Sequence, residues 1–232
     1  MKTTLITGAN RGIGLEFARQ YAADGWQVLA CSRHPENSDA LNQLAARYPD
    51  QITVHALDVT DHMQIEQLAQ ALASASIDLL INNAGVSLHS AIDGFGHTDY
   101  EAWIQTLRVN TMAPLKMAEA FASQVARSNQ KTIVTITSKM GSIADNSSGG
   151  HYLYRSSKAA VNIVMKSLAI DLKPIGITTV VLHPGWVKTD MGGPNAWISA
   201  EESVSGMRHV ISHLTRADSG KFIAYDGQVV PW

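Results

Sequence analysis

The sequence predicts an α/β fold, a doubly wound parallel sheet of seven strands with helices on both faces, built as a single domain over residues 1–232. Three observations predict it. Seven short, β-branched or apolar runs alternate with segments whose apolar residues recur at helical spacing. The run Ile77-Asp78-Leu79-Leu80-Ile81 is almost wholly apolar, as a strand buried on both faces should be. Glycines and small polar residues gather just after the strands, where ligands bind in sheets of this kind. Apolar residues make up 45% of the chain, enough for a full core at this length, and no repeat, low-complexity run or linker divides it.

The elements follow in order. Thr3 to Thr7 is the first strand. The turn Gly8-Ala9-Asn10-Arg11-Gly12-Ile13-Gly14 leads into a helix over Leu15 to Ala22 that ends near Asp24-Gly25. Strand, glycine-rich turn and helix together make a phosphate site, because the glycines admit a pyrophosphate to the backbone N–H groups and the helix N-terminus favours an anion. The spacing Gly-x-x-x-Gly-x-Gly is neither that of a Walker loop nor Gly-x-Gly-x-x-Gly. Gln27 to Cys31 is the second strand, and it ends in Ser32-Arg33-His34 where a reader of a ribose 2′-OH would carry an acid. With no acid there to repel a phosphate, and with Arg33 and Arg11 to pair with one, NADP(H) is the favoured cofactor and NAD(H) stays open.

Ser38 to Tyr48 reads as helix, Ile52 to Leu57 as the third strand ending at Asp58-Val59, and Met63 to Leu72 as a helix started by Thr60-Asp61. The fourth strand, Ile77 to Ile81, ends in Asn82-Asn83-Ala84-Gly85, a small-residue turn that allows close backbone contact with a ligand. A polar loop over Ser87 to His97 precedes helices at about Thr98–Leu107 and Met112–Arg127. Asn110 lies at their joint, either as a cap or with its side chain put to use. Lys131 to Thr137 is the fifth strand and presents Ser138 at its C-terminal end. A polar loop over 141–150 leads to the helix of Tyr154 and Lys158, which runs to about Leu172. Thr178 to Leu182 is the sixth strand, followed by His183-Pro184-Gly185-Trp186. A helix near Ala200–Leu214 and a strand at Lys221–Tyr225 complete the pattern.

Tyr154 and Lys158 are four residues apart, so a helix stacks them on one face. A cation beside a phenol favours the phenolate, which lets such a pair act as an acid/base centre near neutral pH. The pair is common on exposed helices. Its significance comes from company, since the glycine loop, Ser32-Arg33, Asp58-Val59, Asn82 to Gly85, Ser138 and Pro184-Gly185 all fall at strand ends.

Thr7-Gly8-x-x-x-Gly12-x-Gly14, Asp58, Asn82-Asn83-Ala84-Gly85, Asn110, Ser138, Tyr154-x-x-x-Lys158 and Pro184-Gly185 together resemble the compact short-chain dehydrogenase/reductases over almost the whole chain. Tyr154 to Lys158, His183 to Gly193 and Tyr225-Asp226-Gly227 further resemble the C-factor/sniffer-like carbonyl reductases. Ser138 lies sixteen residues before Tyr154, a wider gap than is usual in the family and one that the longer loop of that group accounts for. The resemblance implies a Rossmann fold with Asn110, Ser138, Tyr154 and Lys158 as the catalytic set. Tyr154 would exchange a proton with the substrate oxygen, Ser138 would orient that oxygen, Lys158 would lower the Tyr154 pKa and hold the nicotinamide ribose, and Asn110 would hold a relay water. Gly8, Asn10, Arg11, Gly12, Ile13, Gly14, Ser32, Arg33, Asp58, Val59, Asn82, Ala84, Gly85, Pro184, Gly185, Val187 and Thr189, with Tyr154 and Lys158, would line the cofactor. The implied assembly is a homodimer or homotetramer through the helices near Met112–Arg127 and Tyr152–Leu172.

Met140, Ile143, Trp186, Met191 and Trp197 are candidates for an apolar substrate pocket between the loops 141–150 and 191–199, with Gly192-Gly193-Pro194 as a hinge. His209 and His213 have zinc-like spacing, but no third ligand accompanies them and no metal is expected. Cys31 is the only cysteine, so no intrachain disulfide forms, and it reads as a small buried hydrophobe. The net charge of -2 and the lack of a basic block exclude nucleic acid as an expected partner. With 16% charged residues against roughly 25% in soluble domains, part of the surface suits a subunit contact. Neither a signal peptide nor a membrane span is visible, which predicts a cytoplasmic protein. The expected function is NADPH-dependent reduction of a small or medium carbonyl compound to an alcohol. The alternatives are a dinucleotide-binding regulatory protein and an NAD-dependent alcohol dehydrogenase.

Overall fold

A computed structural model describes residues 1–88 and 94–232. Residues 89–93, part of the polar loop expected over Ser87–His97, lie outside the described residues. Among the described residues the seven strands β1 (Thr3–Thr7), β2 (Gln27–Ser32), β3 (Ile52–Ala56), β4 (Leu79–Asn82), β5 (Thr132–Ile136), β6 (Thr178–His183) and β7 (Phe222–Ala224) form one sheet. The order is β3-β2-β1-β4-β5-β6-β7 and every pairing is parallel. Strand order reverses between β1 and β4, which opens the ligand crevice beyond their carboxyl ends.

Period-two alternation along the strands supplies two apolar faces. Ile6, Leu79, Ile81, Val134 and Leu182 pack under helices α1 (Gly12–Ala23), α2 (Asp39–Arg47) and α7 (Ala200–His213), through Phe17, Tyr21, Leu41, Val204 and Met207. Leu5, Leu80, Ile133 and Val181 face α3 (His62–Ala71), α5 (Ala113–Ala126) and α6 (Tyr152–Asp171), through Ile65, Met117, Phe121, Val161 and Met165. Both neighbours of each central residue are thus removed from water, which explains why β4 carries no polar alternation.

Several boundaries move by one to three residues from the sequence expectation. The first helix begins at Gly12, inside the glycine turn. Helix α4 (Tyr100–Leu107) starts later than Thr98 because the Asp99 carboxylate caps it, accepting from the Ala102 amide at 3.0 Å. β4 starts at Leu79, and just before it Asp78 is tied to Thr3 twice, its carboxylate accepting the Thr3 amide and its own amide donating to the Thr3 carbonyl, each at 2.9 Å. A 3-10 turn, Lys139–Gly141, opens the stretch after Ser138. Among the described residues no helix is long and apolar enough to cross a membrane, and no group of three or more His, Cys, Asp or Glu is placed to hold a metal ion.

Candidate active site

The glycine turn is organised by β4's end. Thr7 Oγ1 accepts the amides of Asn83 and Ala84, each at 3.0 Å, and Asn83 Nδ2 returns bonds to the carbonyls of Thr7 at 2.9 Å and Gly8 at 3.1 Å. Gly8 and Gly12 have φ of 66° and 53°, and a Cβ on Gly14 would lie 2.2 Å from the Gly8 carbonyl oxygen. The turn is therefore closed to larger residues. Arg11 at the N-cap of α1 gives the helix no side-chain cap, and no acid sits in its first turn. The leading N–H groups are left for an outside acceptor, as a pyrophosphate requires. Asn82 Oδ1, buried at the same edge, has no protein partner, while its Nδ2 donates to Pro114 O and Thr135 Oγ1. These features fit a dinucleotide.

Around that cradle, Asn10 and Ile13 are half-buried, Val59 is buried, and Ala84 and Gly85 line the turn after β4. Arg33 is exposed just past β2, with Ser32 and His34 rather than an acid on either side, while Ser32 is buried with its hydroxyl on Ser38 at 2.9 Å. The Asp58 carboxylate accepts from both the amide and the hydroxyl of Thr60. Arg11 reaches Asp190 at 2.6 Å across the mouth, and a Cβ on Gly12 would meet Thr189 Cγ2 at 3.2 Å. The segment Val187–Asp190, behind Pro184-Gly185, thus lies over the glycine turn.

The catalytic candidates converge at the ends of β4 and β5. The joint at Asn110 is a π-helical turn, Arg108–Met112, so the side chain is used and the residue is not a cap. Its Oδ1 accepts the Val86 amide and its Nδ2 donates to Val86 O, both at 2.8 Å, and to Ser157 Oγ at 3.0 Å. Ser157 Oγ in turn donates to the Tyr154 carbonyl at 2.8 Å. On α6, Lys158 Nζ stands 5.7 Å from the Tyr154 ring centroid and donates to Ile136 O at 3.0 Å. Gly141 presses the 3-10 turn onto α6, since a Cβ there would lie 2.7 Å from the Lys158 carbonyl carbon. This contact holds Ser138 beside Tyr154.

Electrostatics depart from one expectation. Burial raises the Tyr154 pKa, opposed by a hydrogen bond with Ser138. Lys158 is itself pushed down to about 8 by burial. The depressed phenol expected from a neighbouring cation is therefore not what this geometry produces, because removing the phenolate from water outweighs the stabilising contacts. The phenol stays protonated at neutral pH, ready to donate.

The pocket candidates occupy two loops at the same edge. Trp186 and Trp197 meet edge to face at 5.5 Å, and Trp186 Nε1 donates to the Gly192 carbonyl at 2.8 Å. Met191 and Ile143 are exposed, and the Met140 carbonyl accepts from Arg155 at 3.4 Å. His209 and His213 lie on the exposed face of α7, their rings tilted against each other at 4.4 Å. Three framework residues escaped the sequence reading. Asn83, Ser157 and Asp190 lie within motifs of the sequence, but nothing there assigns them a role, and Asp190 is 179 residues from its partner Arg11.

A sequence model of the family described as short chain dehydrogenase matches residues 2–197. The chain is 44% identical over 165 residues to C-signal of Myxococcus xanthus, covering 71% of this chain and 98% of that protein. It resembles the crystal structure of NADPH bound carbonyl reductase from chicken fatty liver, with a TM-score of 0.93 and 34% identity over 100% of this chain and 99% of the other. Carbonyl reductase Sniffer of D. melanogaster matches with a TM-score of 0.92 and 32% identity over the full length of both chains.

Proposed function

The chain belongs to the short-chain dehydrogenase family of oxidoreductases, and from that premise we propose that it reduces a small or medium carbonyl compound to an alcohol with NADPH, Tyr154 being the proton donor. The observation that carries this reading is the half-buried Tyr154, its pKa raised by desolvation, hydrogen-bonded to Ser138 and one turn from Lys158, at the sheet edge that also holds the open N-terminus of α1. The NADPH named for the chicken enzyme supports the cofactor, together with Arg33 at the end of β2.

The glycine turn and the α1 N-terminus would hold the pyrophosphate, Arg33 and Arg11 the 2′-phosphate, and Lys158 the nicotinamide ribose. When bound, the nicotinamide supplies hydride to the carbonyl carbon. Negative charge then grows on the carbonyl oxygen. The Tyr154 hydroxyl hands its proton to that oxygen while the Ser138 hydroxyl donates a hydrogen bond to it, so the charge never develops unpaired. Lys158 stabilises the tyrosinate left behind. Asn110, which braces α6 through Ser157, keeps the Tyr154 backbone in place for reprotonation from solvent. The raised Tyr154 pKa favours the reductive direction, where the donor must start protonated. Met140, Ile143, Trp186 and Met191 would receive the apolar part of the substrate.

The test is a panel of aldehydes, ketones and diketones, followed by NADPH absorbance. Tyr154→Phe should lose at least about 100-fold in kcat with NADPH affinity intact. Arg33→Ala should weaken NADPH much more than NADH. Equal affinity of the wild type for both cofactors would overturn the NADPH assignment, and undiminished turnover by Tyr154→Phe would overturn the role of Tyr154. A second reading, a dinucleotide-binding signalling protein, draws on the likeness to C-signal. It predicts NADPH binding with no turnover of any carbonyl.

A further inference from the structure

His183 ends β6 directly before Pro184-Gly185 and pairs in register with Ala224 of β7. Its carbonyl accepts the Tyr225 amide at 2.8 Å, so its backbone is held by the neighbouring strand. Its side chain reaches the other way. The backbone amide of Lys139, the residue after Ser138, donates to His183 Nδ1 at 3.2 Å. The same turn is gripped at two further points: Ser138 Oγ accepts the Met140 amide at 3.1 Å, and Gly141 packs on the α6 backbone at Lys158.

An imidazole nitrogen that accepts an amide carries a lone pair, so the ring is neutral with its proton on Nε2. The charged groups that face the ring are Lys139 on the same turn, Asp145 on the loop after it and Asp226 beyond β7. Burial first and Lys139 next favour the neutral ring, against the two aspartates, and hold its pKa at about 4. The acceptor is therefore available throughout the neutral range.

We propose that His183 is a positioning residue, whose Nδ1 fixes the Lys139 amide and so aims the Ser138 hydroxyl at the reacting oxygen and at Tyr154. The strand end of β6 thereby sets the geometry of the strand end of β5. This inference rests on the reductase reading above. It explains why the position before Pro184 carries a side chain with an acceptor two bonds from Cβ.

Three variants separate the contact from packing. Asparagine puts an acceptor oxygen where Nδ1 stands, glutamine reaches only the Nε2 position, and leucine supplies no acceptor. His183→Leu should lower kcat about 10- to 100-fold, the scale of a misplaced reacting group, with NADPH Kd unchanged. Its kcat/KM profile for carbonyl reduction should keep its activity to higher pH, because the Ser138 hydrogen bond that lowers the Tyr154 pKa is weakened. His183→Asn should restore most of kcat and the wild-type profile, and His183→Gln should not. Amide hydrogen exchange at Lys139, read by NMR in the cofactor-free proteins, should be protected in the wild type and His183→Asn and fast in His183→Leu. Equal Lys139 protection in all variants, or equal kcat and pH profile for Leu and Asn, overturns the proposal. A wild type that binds NADPH yet turns over no carbonyl overturns the reductase reading, and the positioning role with it, while the exchange data still decide the contact itself.

Discussion

Lys158 illustrates how burial, rather than charge pairing, governs a single residue here. Its ammonium is buried, has a backbone carbonyl for a partner, and titrates at about 8 against an ordinary 10.5. The folded-state pKa is lowered, so between about 8 and 10.5 the folded protein has lost a proton that the unfolded chain still holds. Stability attributable to Lys158 is therefore least below about pH 8 and grows as pH rises through that window. The predicted gain is on the order of 3 kcal/mol. Denaturant midpoints of wild type and Lys158→Met at stepped pH check it: the difference between the two proteins should move in favour of wild type from pH 8 upwards, and a flat difference refutes the assignment. The same variant should reduce no carbonyl at any pH.

At the scale of elements, the site depends on how closely the 3-10 turn Lys139–Gly141 approaches α6. A Cβ at Gly141 would lie within 2.7 to 2.9 Å of three atoms of Lys158, two of them backbone. Gly141→Ala should cost about 1–3 kcal/mol as overpacking, and should lower kcat more than it raises the KM for NADPH, since Ser138 moves with the turn. Gly94→Ala, where a Cβ would meet nothing within 4 Å, is the control and should leave kcat unchanged. Helix α4 offers a milder case. Asp99→Ala removes the cap on the Ala102 amide and should cost about 0.5–2 kcal/mol. Its activity should hold, because the Trp103 Nε1 bond to Ser156 at 2.7 Å still fixes α4 to α6. Midpoints from chemical denaturation, compared with kcat on the same preparations, separate these outcomes.

For the whole molecule, the sheet is the frame against which the helices and loops that carry the site residues are packed, and its two apolar faces hold it together. Phe121 of α5 is fully buried in the face shared with α3 and α6. Phe121→Ala should destabilise by about 3–5 kcal/mol, measured by the shift of the denaturant midpoint. NADPH at about 100 times its Kd should return about 2.7 kcal/mol of stability by mass action. The variant should then recover activity at saturating NADPH, because the cavity lies inside one helix layer and the strand ends keep their register. Loss of activity that NADPH cannot restore would mean that the core and the site are coupled more tightly than the layered packing implies.

The sheet, its seven strands, the glycine turn and the Tyr154–Lys158 face are legible in the chain alone, because they rest on local periodicity and on the spacing of glycines after a strand. The sequence also places Ser138 and Asn110 at a strand end and a helix joint. It does not reveal that Asn110 sits in a π-helical turn, since that depends on Val86 and Ser157 arriving from elsewhere. The pairing of Arg11 with Asp190 and of Lys139 with His183 was equally illegible, as both join residues remote in sequence that meet only when the strand ends are gathered. The direction of the Tyr154 pKa shift is illegible from spacing for the same reason. Spacing reports the nearest cation, but the cost of removing a phenolate from water depends on everything packed around it, and only the tertiary structure supplies that.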